Sequence, residues 1–324
     1  MRSTRLPSWV ERLAGLEPVA APPHVFALDA RELRYAAFHR GPQGFAFDSE
    51  QSVVLPAETF APGVLGGPLR EPKAFAEALE SLLRELGGPV TEASLVIPDT
   101  WMRLAFAEFS ELPKKPAQRQ EVLVWKLTRL VPFRVEDLRV SATEVTPFPN
   151  QAEPLRLLLG FAIETLLEQI ESAFSQAGVR LGLLTNETLA LMSSLEHSVA
   201  PEELAALVAV FEDSYTVSFF RPGEPMIYRY KAFTEGGVFA DAVARDLRMT
   251  ATFMREHFPN SPPRRAFLAV ESDLEEQWLH WIQDELEIVP EPLGFDHFQL
   301  TRSRPGASWL RSAPMLGAAA LEIL

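Results

Sequence analysis

A strand, a turn carrying an acid and a second strand occur twice in this 324-residue chain, and the repeat narrows the folds open to it. In the first half, His24 to Leu28 and Arg34 to Phe38 flank a turn over Asp29 to Glu32. In the second, Leu204 to Phe211 and Tyr215 to Phe220 flank Glu212, Asp213 and Ser214. Each pair is followed by a further strand, near Ser52 to Leu55 and near Met226 to Tyr230, and then by a helix, Lys73 to Leu86 and about Gly237 to His257. A chain of this length exceeds the usual size of one hydrophobic core. The duplication therefore predicts two α/β lobes, with the boundary at the acidic stretch Pro201 to Glu203.

Between the repeats the pattern is also regular. Ala93 to Ile97 reads as a compact strand stopped by Pro98, and Gln118 to Val131 as an amphipathic helix fenced by Pro113, Pro116 and Pro132. Leu155 to Phe161 is a continuous apolar strand; a helix from Ile163 to Ala177, a Gly178 cap and a strand over Val179 to Leu184 follow it. A second helix covers Glu187 to Leu195. In the second half, Ala266 to Val270 precedes a helix at Leu274 to Glu285, whose Trp278, Leu279, Trp281 and Ile282 are expected in the core, and an apolar helix begins at Met315. Residues 6–16 put Leu6, Trp9, Val10, Leu13 and Leu16 near one face behind Pro7, predicting a short helix docked on the protein's own surface.

Charge and composition exclude several classes. The 44 acidic and 30 basic residues leave a net charge of −14, which repels nucleic-acid phosphates and anionic membrane surfaces. There is no cysteine, hence no disulfide framework, cysteine-ligated zinc or thiol nucleophile. The start is broken by Pro7, Glu11 and Arg12 before an export signal develops, and no stretch approaches the roughly 18 apolar residues of a membrane span. An internal, soluble protein without direct membrane insertion is expected. The six histidines lack the spacing of a zinc protease, so no metal site is expected, and neither a Gly-x-Ser-x-Gly elbow nor a Gly-x-x-x-x-Gly-Lys loop is present.

The segment Glu108-Phe-Ser-Glu-Leu-Pro113, followed by Gln118 to Phe133 with Trp125 and a Pro132-Phe133 stop, resembles PilM-like type IV pilus assembly proteins of the actin-like ATPase superfamily. Leu158 to Leu195 and Lys231 to His257, with Gly236-Gly237, are similar to further segments of that family. The resemblance implies a two-lobed actin-like (ribonuclease H-like) α/β fold with a small α+β subdomain inserted in the first lobe. The expected organisation is a short helix and linker at 1–23, the first lobe at 24–92, the inserted subdomain at 93–162, the first lobe again at 163–200, the second lobe at 201–312 and a C-terminal helix at 313–324. It also implies a cytoplasmic scaffold of the pilus inner-membrane platform. The partner would be the N-terminal cytoplasmic tail of a PilN-like membrane protein, bound between the first lobe and its insertion, beside other platform components. Trp125, Leu130, Pro132 and Phe133 are the expected groove residues, although Trp125 taken singly is expected to be buried as core.

Actin-like ATPases hold phosphates with two Asp-bearing hairpins whose glycines let backbone N–H groups approach. Here Asp29 remains, but Arg31 stands at one glycine position and Ser214 at the other, beside Glu212 and Asp213. The third element, the loop against the adenosine, reads Glu271-Ser-Asp-Leu274, without glycine. Asp29, Arg31, Glu212, Asp213 and Ser214 are thus read as a vestigial nucleotide site of hairpin acids and turn residues, with no catalytic residue and no cofactor. The alternative is a working ATPase or a sugar-kinase-like enzyme of the same fold, taking ATP with magnesium. A third reading is the related cytoplasmic domain of a type II secretion platform protein, in which a membrane helix follows; none precedes Leu324.

Overall fold

In the computed structural model the apolar runs build two sheets of the same design; residues 19–41, 44–131, 134–148, 155–233, 240–271, 273–294, 297–298, 300–302 and 309–323 are described. The first lobe comprises β1 (Val19–Ala20), β2 (His24–Leu28), β3 (Glu32–Gly41), β4 (Gly44–Val54), α1 (Pro72–Glu85) and β5 (Glu92–Ile97). An insertion follows, with β6 (Met102–Phe109), α2 (Pro116–Leu127), β7 (Leu138–Val145) and β8 (Leu155–Ile163). The chain returns to the first lobe through α3 (Glu164–Gln176), β9 (Arg180–Asn186) and α4 (Glu187–Leu195). The second lobe holds β10 (Ala205–Val210), β11 (Ser214–Arg221), β12 (Glu224–Ala232), α5 (Ala240–His257), β13 (Arg265–Ala269), α6 (Glu275–Leu286) and β14 (Pro290–Pro292). Last come β15 (Leu300–Arg302), α7 (Trp309–Ala320) and β16 (Glu322–Ile323), which pairs with β1.

Counted from β2 in the first lobe and from β10 in the second, both sheets run third-second-first-fourth-fifth. The first lobe is ordered β4-β3-β2-β5-β9, with β15 added outside β4, and the second β12-β11-β10-β13-β14. In both, the first strand is antiparallel to the second and parallel to the fourth. This is the two-lobed actin-like, ribonuclease H-like fold. Alternation along each strand decides its layers. Val25 and Ala27 face inward with Leu207 and Ala209, while Phe26 and Leu28 face outward onto α1 and α3, and Ala206 and Val208 face outward onto α5 and α6. Between the sheets lie α4 and α7, which carry Ala190, Leu191, Met192, Met315, Leu316 and Ala319 into one interlobe core.

Four elements differ from the sequence expectation. β5, expected at the head of the insertion, is the fourth strand of the first-lobe sheet. Its side chains are buried on both faces, and it pairs in parallel with β2 and β9, so the first lobe runs past Ile97 and the insertion begins at β6. The strands β6 and β7 had no sequence expectation. Both are half-exposed edges of a three-stranded sheet ordered β6-β8-β7, and their polar residues blur the period-two signal. The C-terminal helix starts at Trp309, earlier than residue 313. The expected helix over 6–16 and the Gly236-Gly237 opening of α5 lie outside the described residues.

Two glycines have a backbone reason. Gly178, at φ +80°, ends α3 and sends its N–H back to Ser175, while the next N–H, of Val179, bonds Phe174. Gly317 is where α7 crosses α4: a Cβ there would stand 1.8 Å from the carbonyl oxygen of Ala190. Neither helix backbone can give way without moving the interlobe core, and overpacking of this kind is destabilising by about 1–3 kcal/mol or more. Gly317→Ala is therefore expected to lower the urea midpoint of unfolding clearly; an unchanged midpoint would mean that α7 does not cross α4 at this distance.

Candidate functional site at the seam between the lobes

The two acid-bearing hairpins meet at the same end of the lobes. In the β2–β3 turn, Asp29 Oδ1 accepts the backbone N–H of Arg31 at 2.7 Å and that of Glu32 at 2.9 Å. These are N–H groups that a phosphate-holding turn would leave open, and here the turn's own carboxylate occupies them. Arg31 then reaches across the seam and pairs with Glu212 of the β10–β11 turn at 2.7 Å. Both side chains are well exposed, so the pair closes the mouth without adding much stability. Asp213 accepts the Ser214 hydroxyl at 2.8 Å and that of Thr100 from the first lobe at 3.2 Å. All five residues read as a vestigial site therefore lie at one junction, Asp29, Arg31 and Glu212 joined as one set and Asp213, Ser214 and Thr100 as another. Ser272 of the expected adenosine loop lies outside the described residues; its neighbour Leu274 closes a turn onto Glu271.

Beneath the hairpins is a buried polar knot that the sequence reasoning missed. Asp99, two residues past the end of β5 and 1% exposed, accepts four hydrogen bonds. Two come from the first lobe, the Thr188 backbone N–H at 3.0 Å and its hydroxyl at 2.5 Å. The other two cross from the second lobe, from Thr216 at 2.6 Å and Tyr228 at 2.9 Å. The carboxylate thereby occupies the N-terminus of α4, the place in the seam where backbone N–H groups and the helix dipole favour an anion. Asn186 completes the cap by accepting from Leu189 N–H, while its amide donates to Met102 O and Tyr228 Oη. Burial raises the Asp99 carboxyl above its usual range, and the four donors act against that shift. Burial, together with the Asp99 charge, pushes the Tyr228 hydroxyl well up.

Glu187 opens α4 beside this knot, recessed yet partly reached by water. Desolvation and then the nearby Asp99 charge push it up to about 8, with Asp29 and Asp213 adding to the effect and Arg34 opposing it. Four acids from both lobes thus converge on one seam. Among the described residues no cluster of His, Cys, Asp or Glu has the arrangement of a metal site. One signal for Asp99 and Glu187 was available: both follow strands at their C-terminal ends, where open α/β sheets place ligand-facing groups.

The insertion closes the same seam from the side. One face of its sheet, with Leu104, Phe106, Val145 and Leu158, packs on Tyr228 and Tyr230 of the second lobe. Arg156 lies between the rings of Phe106 and Phe148, 4.0 and 3.8 Å from their centroids, and donates to the carbonyls of Met226 and Thr146. Its burial pushes the guanidinium down to about 10. The opposite face, with Ala107, Phe109, Leu157 and Leu159, holds Leu123 and Leu127 of α2, together with Leu65 from the first lobe.

Trp125, expected as core when taken singly, is 55% exposed, and Leu130 is 44% exposed. The buried positions of α2 are 123 and 127, and at 100° per residue Trp125 points the opposite way, out from the sheet. Pro132 and Phe133 lie outside the described residues. At the junction of first lobe and insertion, Arg103 Nη2 donates to the carbonyl of Val64 at 2.7 Å, and the Val64 side chain is 64% exposed.

Comparison with solved structures returns the same architecture. A chain of a PilM-PilN type IV pilus biogenesis complex superposes with a TM-score of 0.65 at 17% identity, covering 94% of this chain and 97% of that one. The cytoplasmic domain of EpsL, an inner-membrane component of the type II secretion system of Vibrio cholerae, matches at TM-score 0.48 and 12% identity, covering 93% and 95%. A Bacteroides thetaiotaomicron protein with an actin-like ATPase fold matches at 0.49 and 9%, covering 83% and 90%. No family model and no curated protein matches the sequence. At these identities the likeness is one of fold.

The raised Glu187 carboxyl has a consequence for stability. Its ordinary value is 4.5 and its folded value about 8, so the folded state holds the proton more tightly than the unfolded chain. Stability therefore falls as pH rises from about 4.5 to about 8, and is level above. Glu187→Gln keeps the shape and removes the titration. It is expected to be more stable than the parent by on the order of 1–2 kcal/mol at about pH 9 and close to it at about pH 5. Thermal melts across that range check this, and a difference independent of pH would show that Glu187 does not titrate between those values.

Proposed function

We propose that this chain is a cytoplasmic scaffold of a type IV pilus, or related type II secretion, inner-membrane platform, held at the membrane's inner face through its partners. In this reading it binds the N-terminal cytoplasmic tail of a PilN-like membrane protein and has little or no ATP hydrolysis. The observation that carries it is the superposition on a chain of the PilM-PilN complex over 94% of the residues, insertion included. Among the described helices none is long and apolar enough to cross a membrane, which agrees with attachment through a partner. The tail is placed at the junction of first lobe and insertion, where Val64 offers an apolar side chain and the neighbouring Leu65 enters the insertion core.

The reading without ATP hydrolysis is supported by who occupies the seam. Asp29 takes the N–H groups of its own turn, Asp99 takes the N-terminus of α4, and Arg31 pairs with Glu212 across the mouth. A phosphate entering there would meet four acids and would have to displace these contacts. The competing reading, an ATP-binding enzyme using magnesium, draws on Asp213, whose carboxylate is partly exposed at the second hairpin.

Calorimetric titration of the full chain separates the two. A peptide with the N-terminal tail sequence of a PilN-like protein from the same genome is expected to bind saturably. Val64→Glu should weaken it at least tenfold, a loss of about 1.4 kcal/mol, and magnesium-ATP should give no saturable heat below millimolar concentration. Silence with the tail peptide would sink the partner assignment. Submillimolar magnesium-ATP binding that Asp213→Ala abolishes would establish the enzyme reading instead.

A further inference from the structure

The outward face of α2 has a charge opposite to the rest of the molecule. Between Leu112 and Val135 the chain has six Lys or Arg and a single Glu, within a protein of net charge −14. Lys114, Lys115, Arg119 and Arg129 are exposed, and among the described residues none of the four has an ion-pair partner. Arg129 stacks on the Trp125 ring, 4.3 Å from its centroid, and Leu130 is exposed beside it. At 100° per residue Arg119 and Lys126 fall on the same flank of Trp125, and Glu121 falls on the other.

The placement of the lysines runs against helix stability. Lys114 and Lys115 precede Pro116 at the N-terminus of α2, where the helix dipole favours acids. The Lys115 cap position makes no side-chain hydrogen bond, and the first turn holds no acid. Cations set where they disfavour their own helix, on a helix whose other end carries an exposed Trp stacked by Arg129, call for an anionic surface outside the protein.

We infer that this face rests on an anionic lipid bilayer, with Trp125 and Leu130 at the headgroup level and the Lys and Arg side chains against the lipid phosphates. The surface is the convex back of a helix, suited to a plane that adapts to it, and Trp flanked by basic residues is the composition of interfacial helices. The overall negative charge does not prevent the contact, because at physiological salt charges act over about 8 Å and the bilayer meets this face first. The inference stands on this face alone and does not need the tail peptide; with the tail bound at the neighbouring junction, the two contacts would share one orientation at the membrane.

The test is co-sedimentation of the full chain with vesicles of phosphatidylcholine alone or mixed with phosphatidylglycerol. Binding is expected only to the mixed vesicles and should vanish at about 0.5 M salt, where the screening length is roughly 4 Å. Lys114→Gln with Lys115→Gln, and separately Trp125→Ser, should each weaken it by roughly tenfold, with melting temperatures no lower than the parent's, and the lysine pair should leave the affinity for the tail peptide unchanged. Equal binding to neutral vesicles, no binding to either, or variants that bind like the parent overturns the inference. So does a Trp125-dependent fluorescence change with polyglutamate in the absence of vesicle binding, which would assign the face to an acidic protein.

Discussion

The structure turns on one buried carboxylate. Asp99 belongs to the first lobe, yet half of its donors, Thr216 and Tyr228, come from the second. A charge so enclosed is stable only while every partner is in place, and removing any of them leaves desolvation uncompensated. The relative position of the lobes is thereby tied to the satisfaction of a single group. The same group caps α4, and α4 with α7 forms the layer between the two sheets, so the knot and the interlobe core hold each other in register. Arg156 adds a second tie, a guanidinium between two rings that links the insertion to the second lobe through Met226.

Much of the fold was legible because its signals are local. Helix α4 was placed at its observed ends, Glu187 and Leu195, and Gly178 marked the end of α3. The doubled strand-turn-strand pattern is what the matching strand orders of the two sheets make visible. β6 and β7 were not legible: each has one face on a sheet and the other partly in water, and Arg103, Ser141 and Glu144 interrupt their alternation. β5 was placed in the wrong unit because a two-sided apolar strand says nothing about which sheet receives it.

The site divides in the same way. Hairpin acids are visible in sequence because they interrupt apolar strands. Asp99 was passed over because an acid after Pro98 looks like any turn residue, and its burial arises from Thr216 and Tyr228, more than a hundred positions away. Trp125 failed in the opposite sense. A large aromatic in a helix is usually core, but the positions that meet the sheet are 123 and 127, and the helical rotation leaves 125 outside.

A net charge is a poor guide to what a surface meets, since screening limits each charge to its neighbourhood. The same chain that concentrates four acids in a closed seam collects six cations around one outward helix. These two concentrations have different physical costs. The acids are tolerated because donors, a helix N-terminus and the protonation of Glu187 offset them within the fold. Arg134 has Glu136 beside it, but at the helix start there is no such compensation: Lys114 and Lys115 oppose the dipole of α2 and have no ion-pair partner among the described residues. Folding thus accounts for the acidic seam from inside the molecule, whereas the basic face is accounted for only by something the molecule touches.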